Sequence, residues 1–244
     1  MQMEQPDLGL GVSLPAGNLP DDLDAGSMFS ILIAALRNSS AMVFDGTGRI
    51  VWCCPRAAAS LGCADPTEPI GQPLSRFAPD LWAAERVTAV AQAIREQRVV
   101  TLAGIVDGVR VVTRCIPLAR NGHGGDRVLA VIEPVTAEEI GQLERPDAGH
   151  TVTWSRVHDL GPLDVLTARE IEVLALLGRG IRTKEIAETL HRSVSTIDGH
   201  RERIGQKLGL KDRAELIAVA RRAVLRVEDA EGARIRLRPQ PDSD

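Results

Sequence analysis

The strongest constraint on this chain is a succession of short, capped helical segments between Thr167 and about Leu225. Thr167-Ala-Arg-Glu170 is a capping box, in which the Thr hydroxyl and the Glu carboxylate each satisfy an orphan backbone donor. It opens a helix with Ile171, Leu174 and Leu177 on one face, closed by Gly180. Thr183 can cap a second helix carrying Ile186, Ala187 and Leu190, and Ser193 a third. The third helix is expected to turn Val194, Ile197, Ile204 and Leu208 inward and to stop at Gly209. Asp212 or Arg213 opens a fourth, with Leu216, Ile217, Val219 and Ala220 apolar.

Two short helices joined by a tight turn, the second of them longer, make a helix-turn-helix. At 100° per residue, Ser195, Asp198, Gly199, Glu202 and Gln206 lie opposite the apolar stripe of the third helix, where they would meet base edges in a major groove. Arg201, Arg203, Lys207 and Lys211 border that face, as contacts to phosphates require. The whole-chain charge of −4 argues against nucleic acid until it is divided. Residues 1–150 carry a net −6, residues 151–225 a net +3 and residues 226–244 a net −1.

The first half is of another kind. Residues 1–28 are rich in Pro, Gly and Asp and read as a flexible leader, and Met28–Arg37 suits a helix. Ala41–Asp45 and Arg49–Cys54 are β-prone runs around Gly46-Thr-Gly48, which makes a hairpin, and Pro55 starts a short helix. Residues 81–97 form the clearest helix of this half, with Leu81, Ala84, Val87, Val90, Ala91 and Ile94 as its expected buried face. Three more strands follow, Val99–Val106, Val109–Leu118 and Arg127–Pro134. Asp107-Gly108 turns the first pair and a loop of Asn121-Gly-His-Gly-Gly125 the second. In 136–160, Glu138–Leu143 suits a helix running out of the last strand and the rest reads as a linker, while 226–244 read as a tail, with Arg234, Arg236 and Arg238 on a solvated end.

The order of the first half, and above all the stretch Asn38–Trp52 followed by an Ala-rich helix and Ile70-Gly-Gln-Pro-Leu, resembles a PAS domain. In the second half, Leu166–Leu174, Thr183-Lys-Glu-Ile-Ala187, Thr196-Ile197, His200 and Lys207-Leu-Gly-Leu210 resemble the LuxR-type (FixJ/NarL-like) DNA-binding domain. The two resemblances together imply an α+β PAS-like domain over 29–135 followed by an all-α four-helix domain over 161–225. The second implies that Lys184, Thr196, Arg203 and Lys207 hold phosphates, while Ser195, Asp198, Gly199 and Glu202 face bases. It also implies a dimer contact through the last helix, at Leu216, Ile217 and Ala220. Many members of that family carry Lys or Thr where this chain has Asp198 and Gly199, and Glu202 adds a second acid. Carboxylates accept a hydrogen bond from cytosine N4 but are repelled by phosphates, so the expected binding is modest, salt-sensitive and unusual in base preference.

Other chemistries find little support. There is no H-E-x-x-H pair, no G-x-S-x-G elbow and no Gly-rich phosphate loop ahead of a helix, so an enzyme is not expected. Cys53, Cys54, Cys63 and Cys115 are weak metal candidates without a C-x-x-C pair, better read as buried thiols of a reducing cytoplasm. An iron–sulfur cluster or a small apolar ligand stays open but is not favoured. Haem through histidine is disfavoured, since the PAS-like stretch 29–135 offers only His123, in a Gly-rich loop, and the flavin-linked Asn-Cys-Arg-Phe setting is missing. His158, His191 and His200 read as structural. The longest apolar run, Met28–Leu36, ends after nine residues, too short for a membrane span, and nothing reads as a secretory signal. A phosphoacceptor receiver domain is rejected because Asp21-Asp22 precede any strand.

These readings converge on a cytoplasmic, homodimeric transcription regulator. It would bind double-stranded DNA with inverted half-sites and address RNA polymerase, its activity set by a signal or partner at the PAS-like domain. The alternative is that this domain only dimerises or docks a protein, with no ligand.

Overall fold

The computed structural model describes residues 39–118, 126–143 and 152–237. The expected helix Met28–Arg37, the loop at 121–125 and Arg238 lie outside the described residues.

The first strands are β1 (Ser40–Asp45) and β2 (Ile50–Cys53), with α1 (Pro55–Ser60) behind them. Asp45 closes the hairpin turn by accepting from Thr47 N at 2.9 Å, Thr47 Oγ1 at 2.7 Å and Arg49 N at 3.0 Å. Cys54 is the N-cap of α1, its thiol accepting from Ala57 N at 3.4 Å and from Ala41 N at 3.3 Å, while Pro55 sits where no donor is needed. The long helix α2 spans Asp80–Glu96, and β3 (Val100–Val106), β4 (Val109–Leu118) and β5 (Arg127–Pro134) complete an antiparallel run ordered β2-β1-β5-β4-β3. Asp107 and Gly108 both take positive φ, 50° and 72°, the hairpin geometry their sequence predicts.

The buried face of α2 is only partly the expected one: Val90 is buried and Val87 and Ile94 are half-buried. Leu81 is 63% exposed, and Ala84 and Ala91 also face solvent, while Trp82, Ala83, Arg86, Ala89, Val90 and Ala93 are buried. An arginine in the buried stripe hides the helical period. Arg86 is accommodated because its guanidinium stacks 3.8 Å from the Trp82 ring centroid, donates to the Trp82 carbonyl at 3.3 Å and pairs with Glu85 at 3.2 Å. Gly104 on β3 supplies the room, since a Cβ there would stand 3.0 Å from Arg86 Nη2. Burial lowers the Arg86 pKa to about 10, with Glu85 opposing the shift, so the group stays charged at neutral pH.

The stretch 136–160 carries the helix expected at its start and, beyond it, strands rather than a bare connector. It holds α3 (Ala137–Leu143), β6 (Val152–Trp154) and β7 (Val157–Asp159). β6 joins the sheet as a sixth strand, parallel to β3 through Thr101↔Val152, Leu102↔Thr153 and Ala103↔Trp154. Ala103, Val112, Val135 and Ile140 form a small core on the outer sheet face beneath α3.

Four helices follow: α4 (Ala168–Gly178), α5 (Thr183–Thr189), α6 (Val194–Leu208) and α7 (Arg213–Ala223). Their core includes Leu174, Ile186, Ile197, Ile204 and Ala220, and Ile105 of β3 belongs to the same cluster. Residues 224–237, which follow α7, are built into the fold too. Strand β8 (Ala233–Ile235) pairs in parallel with β7 through Val157↔Ala233, His158↔Arg234 and Asp159↔Ile235. Arg234 donates to the Leu166 carbonyl at 2.7 Å and Arg236 pairs with Asp164 at 3.2 Å, so these two arginines are tied down rather than free on a solvated end. Among the described residues no helix is long and apolar enough to cross a membrane.

Candidate nucleic-acid interface

The helical domain is built as its caps dictate. Thr167 and Glu170 form the capping box of α4, Ser193 accepts from Thr196 N at 3.1 Å to cap α6, and Asp212 accepts from Ala214 N and Glu215 N to cap α7. The second helix differs in detail, because Arg182 rather than Thr183 stands at its N-cap and Glu185 accepts from Arg182 N at 3.3 Å. Helix α6 ends on Gly209 at φ 64°, as its sequence predicts.

Ile197 and Ile204 anchor α6 with no exposed surface. Val194, expected inward, is 45% exposed. It is the first residue of the helix, beyond the last layer of core, and 40° from Asp198 around the axis, which puts an apolar group on the outward face. Ser195, Asp198, Glu202 and Gln206 are exposed and Gly199 half-buried. Together with Lys211 they line an open groove of about 760 Å³ that continues to the start of α7.

The expected phosphate ligands divide into two groups. Lys184 is exposed, and Arg203 lies at the helix surface, where it donates to His200 Nδ1 at 3.1 Å. Thr196 is half-buried and shares a 2.8 Å hydroxyl contact with Ser193. Lys207, by contrast, is held by Glu170 at 2.7 Å, with Arg203 4.0 Å from the same carboxylate. Burial pushes the Glu170 carboxyl up, but Lys207 and Thr167 outweigh it and hold the group below its ordinary range. The box residue that caps α4 therefore also seats α6, a role that spacing along the chain does not reveal.

Two further tethers escaped the sequence pattern. Arg169 pairs with Glu172 and donates to the Leu190 carbonyl at 2.5 Å, fastening α4 to the end of α5. Arg201 takes Asp198 at 2.8 Å and Thr183 Oγ1 at 3.1 Å, stapling the two helices of the motif, so it is committed within the fold rather than left on the border for phosphates.

On α7, Leu216 and Ala220, expected at a dimer contact, lie inward. Both are buried in the domain's own core, and Gly178 lets α4 approach so closely that a Cβ there would meet the Ala220 carbonyl at 2.4 Å. Ile217 stays partly exposed on a face shared with Ala214, Ala218 and Arg221.

The glycines of α6 are not required by packing inside the domain, since a Cβ at Gly205 would meet nothing within 4 Å. Gly205→Ala is expected to stabilise the helical domain by about 0.5–1 kcal/mol, read as a raised midpoint in urea unfolding.

Comparison with known proteins gives both halves their class. The family model of bacterial regulatory proteins of the luxR family matches residues 164–220, and the PAS fold matches residues 37–140. The chain joins a PAS-fold domain to a LuxR-type helix-turn-helix domain.

Among curated relatives, the Oxygen regulatory protein NreC of Staphylococcus aureus is 46% identical over 59 residues, 24% of this chain and 27% of that protein. The chain thus spans about a quarter of the length of the curated relatives it matches. Among solved structures, a ligand–DNA complex of VqmA from Vibrio cholera covers 90% of this chain and 96% of its own at 19% identity, TM-score 0.48. A domain of an HTR-like protein from Haloarcula marismortui covers 40% and 98% at 23% identity, TM-score 0.37.

Proposed function

We propose that this chain is a sequence-specific, DNA-binding transcription regulator of the cytoplasm, with its activity set by a signal or partner at the PAS-fold domain. The observation that carries the reading is α6 itself. Ile197 and Ile204 pin one side in the core, while Ser195, Asp198 and Glu202 stand exposed on the other. Lys184 and Arg203 would take phosphates and fix the register. Thr196 and Lys207 would join them, Lys207 by leaving Glu170 or by bridging it to the backbone. Ser195, Asp198, Gly199 and Glu202 would read bases, and exposed Val194 offers a methyl surface for thymine. Two copies on inverted half-sites would place their recognition helices about one DNA turn apart. A dimer contact through α7 would then run over Ala214, Ile217, Ala218 and Arg221. RNA polymerase is the protein such a regulator would address.

The test is sequencing of DNA fragments captured by the purified protein, followed by binding titrations over a range of salt. Lys184→Ala and Arg203→Ala are each expected to weaken binding evenly across sequences and to reduce the log–log salt slope by about 1. Binding that depends on neither salt nor these residues would place the interface elsewhere.

A second reading, that the PAS-fold domain only dimerises or docks a protein, is favoured by one observation. Trp82 and the buried Arg86 guanidinium occupy the space between α2 and Gly104 of the sheet. Native mass spectrometry of the purified chain separates the two, since a co-purifying small molecule would remove the ligand-free reading.

A further inference from the structure

The helix-turn-helix domain is gripped at both of its ends by the PAS-fold domain. At its N-terminal side, Glu85 of α2 accepts from Ser155 Oγ and from Arg156 N at 2.9 Å. The tip of the β3–β4 hairpin sits on the next residues. Gly108 N donates to the Asp159 carbonyl at 3.0 Å and Asp107 N to its carboxylate at 3.2 Å. The fit leaves no space, since a Cβ at Gly108 would lie 2.9 Å from the Leu160 carbonyl.

At its C-terminal side the grip centres on an arginine, beside Val224 packed against the small sheet core and the Arg226 guanidinium stacked 3.9 Å from the Trp154 ring centroid. Arg110 of β4 has no exposed surface, pairs with Asp229 and donates through Nε to the carbonyl of Val224, the residue that ends α7. Asp229 also accepts from Arg226 N at 2.6 Å. The parallel pair β7–β8 then staples the two sides together. There Gly232 lies so close to His158 that a Cβ would overlap the imidazole, 2.1 Å from Cδ2.

We propose that residues 224–237 are an interdomain latch, with Arg110–Asp229 as its bolt, that fixes the orientation of the recognition helix relative to the PAS-fold sheet. The position of Arg110 supplies the reason. Neighbouring residues on a strand point to opposite faces, so Arg110 meets the latch while Val111 is buried on the face covered by α2. A displacement of β4 from the α2 side is delivered one residue away, to the end of α7. A buried guanidinium without its carboxylate is poorly tolerated, so the bolt has two states, seated or released to water, rather than a graded series.

The reading of α6 as a DNA reader matters only to what the latch controls. The test is therefore made on the latch itself, by amide hydrogen exchange of the full chain. Asp229→Asn is expected to speed exchange at least tenfold in residues 156–159 and 226–235, leaving β1, β5 and α4–α6 within twofold of wild type. Arg110→Lys keeps the charge but cannot reach Asp229 and Val224 with a planar fork, and is expected to give the same pattern more weakly. Uniform loss of protection across both domains, failure of both variants to fold, or unchanged exchange in the two segments would each overturn the proposal. In a titration with captured operator DNA, both variants are expected to shift affinity at least threefold with α6 untouched. If the wild-type chain binds no DNA, the functional reading fails while the exchange result still decides the latch.

Discussion

Glu170→Ala is expected to lower the stability of the helix-turn-helix domain by about 2–3 kcal/mol, read as a shift of the urea midpoint. Three losses combine. The Thr167 N–H, which donates to Glu170 at 2.8 Å, loses its acceptor, a capping loss of about 1 kcal/mol. The side chain is almost wholly buried, and removing its methylene contributes about 0.8 kcal/mol. The pair with Lys207 adds about 0.5–1 kcal/mol, kept small because Lys207 is a third exposed.

Glu170→Gln separates these contributions, because the amide keeps the volume and the acceptor but loses the charge. Its cost is expected near 1 kcal/mol. The pH dependence follows from the lowered carboxyl pKa. The stabilisation is complete above the ordinary value of 4.5 and is lost as the pH falls through the native value. The Gln variant is therefore expected to flatten the acid limb of the stability curve, while above pH 5 its deficit stays constant. A Glu170→Ala variant as stable as wild type would show that Lys207 and the cap are carried by other groups. The same Gln variant frees Lys207, and a DNA titration is expected to show a log–log salt slope steeper by about 1.

What the sequence reveals of this molecule depends on how local each determinant is. Caps and hairpin turns are legible because their partners lie within four residues: Thr167 with Glu170, Ser193 with Thr196, Asp107 beside Gly108. The strands β4 and β5 follow from β-branched runs bounded by turns. The face of α2 is partly misread because Arg86, a charged residue, occupies a core position that only the Trp82 ring, Glu85 and the gap at Gly104 make tolerable. Strand β6 is three residues long and pairs with Thr101–Ala103, some fifty residues earlier, so no local period announces it. The candidate interface shows the same division. Helical spacing alone finds the exposed face of α6, and it also turns Leu216 and Ala220 toward one side. It does not show that Lys207 is engaged by a carboxylate 37 residues away, or that the side chosen for Leu216 and Ala220 is the domain's own core.

Glu202→Gln is expected to change which base the protein prefers, with discrimination at one base pair moving by about 1–3 kcal/mol, roughly 5- to 150-fold. The two acids on α6 are not equivalent. Asp198 is paired with Arg201 at 2.8 Å, which offsets its charge and directs one oxygen along the helix. Glu202 is exposed and makes no ion pair among the described residues, so its carboxylate is available to accept from cytosine N4. Conversion to an amide adds donors, and Gln pairs in two-pronged fashion with adenine N6 and N7. The preferred base at that position is expected to move from cytosine toward adenine, whereas Glu202→Ala loses the preference without gaining another. A second consequence separates charge from readout. Each carboxylate about 8 Å from a phosphate costs about 0.5 kcal/mol in water, and several phosphates line the groove. Both variants are therefore expected to bind random DNA several-fold more tightly at moderate salt, an advantage that shrinks as salt rises. Selection of bound fragments with wild type and the two variants checks both halves at once. Three identical consensus sequences would remove Glu202 from the base-reading face, while tighter but sequence-blind binding by the Ala variant alone would identify it as the residue that trades affinity for choice.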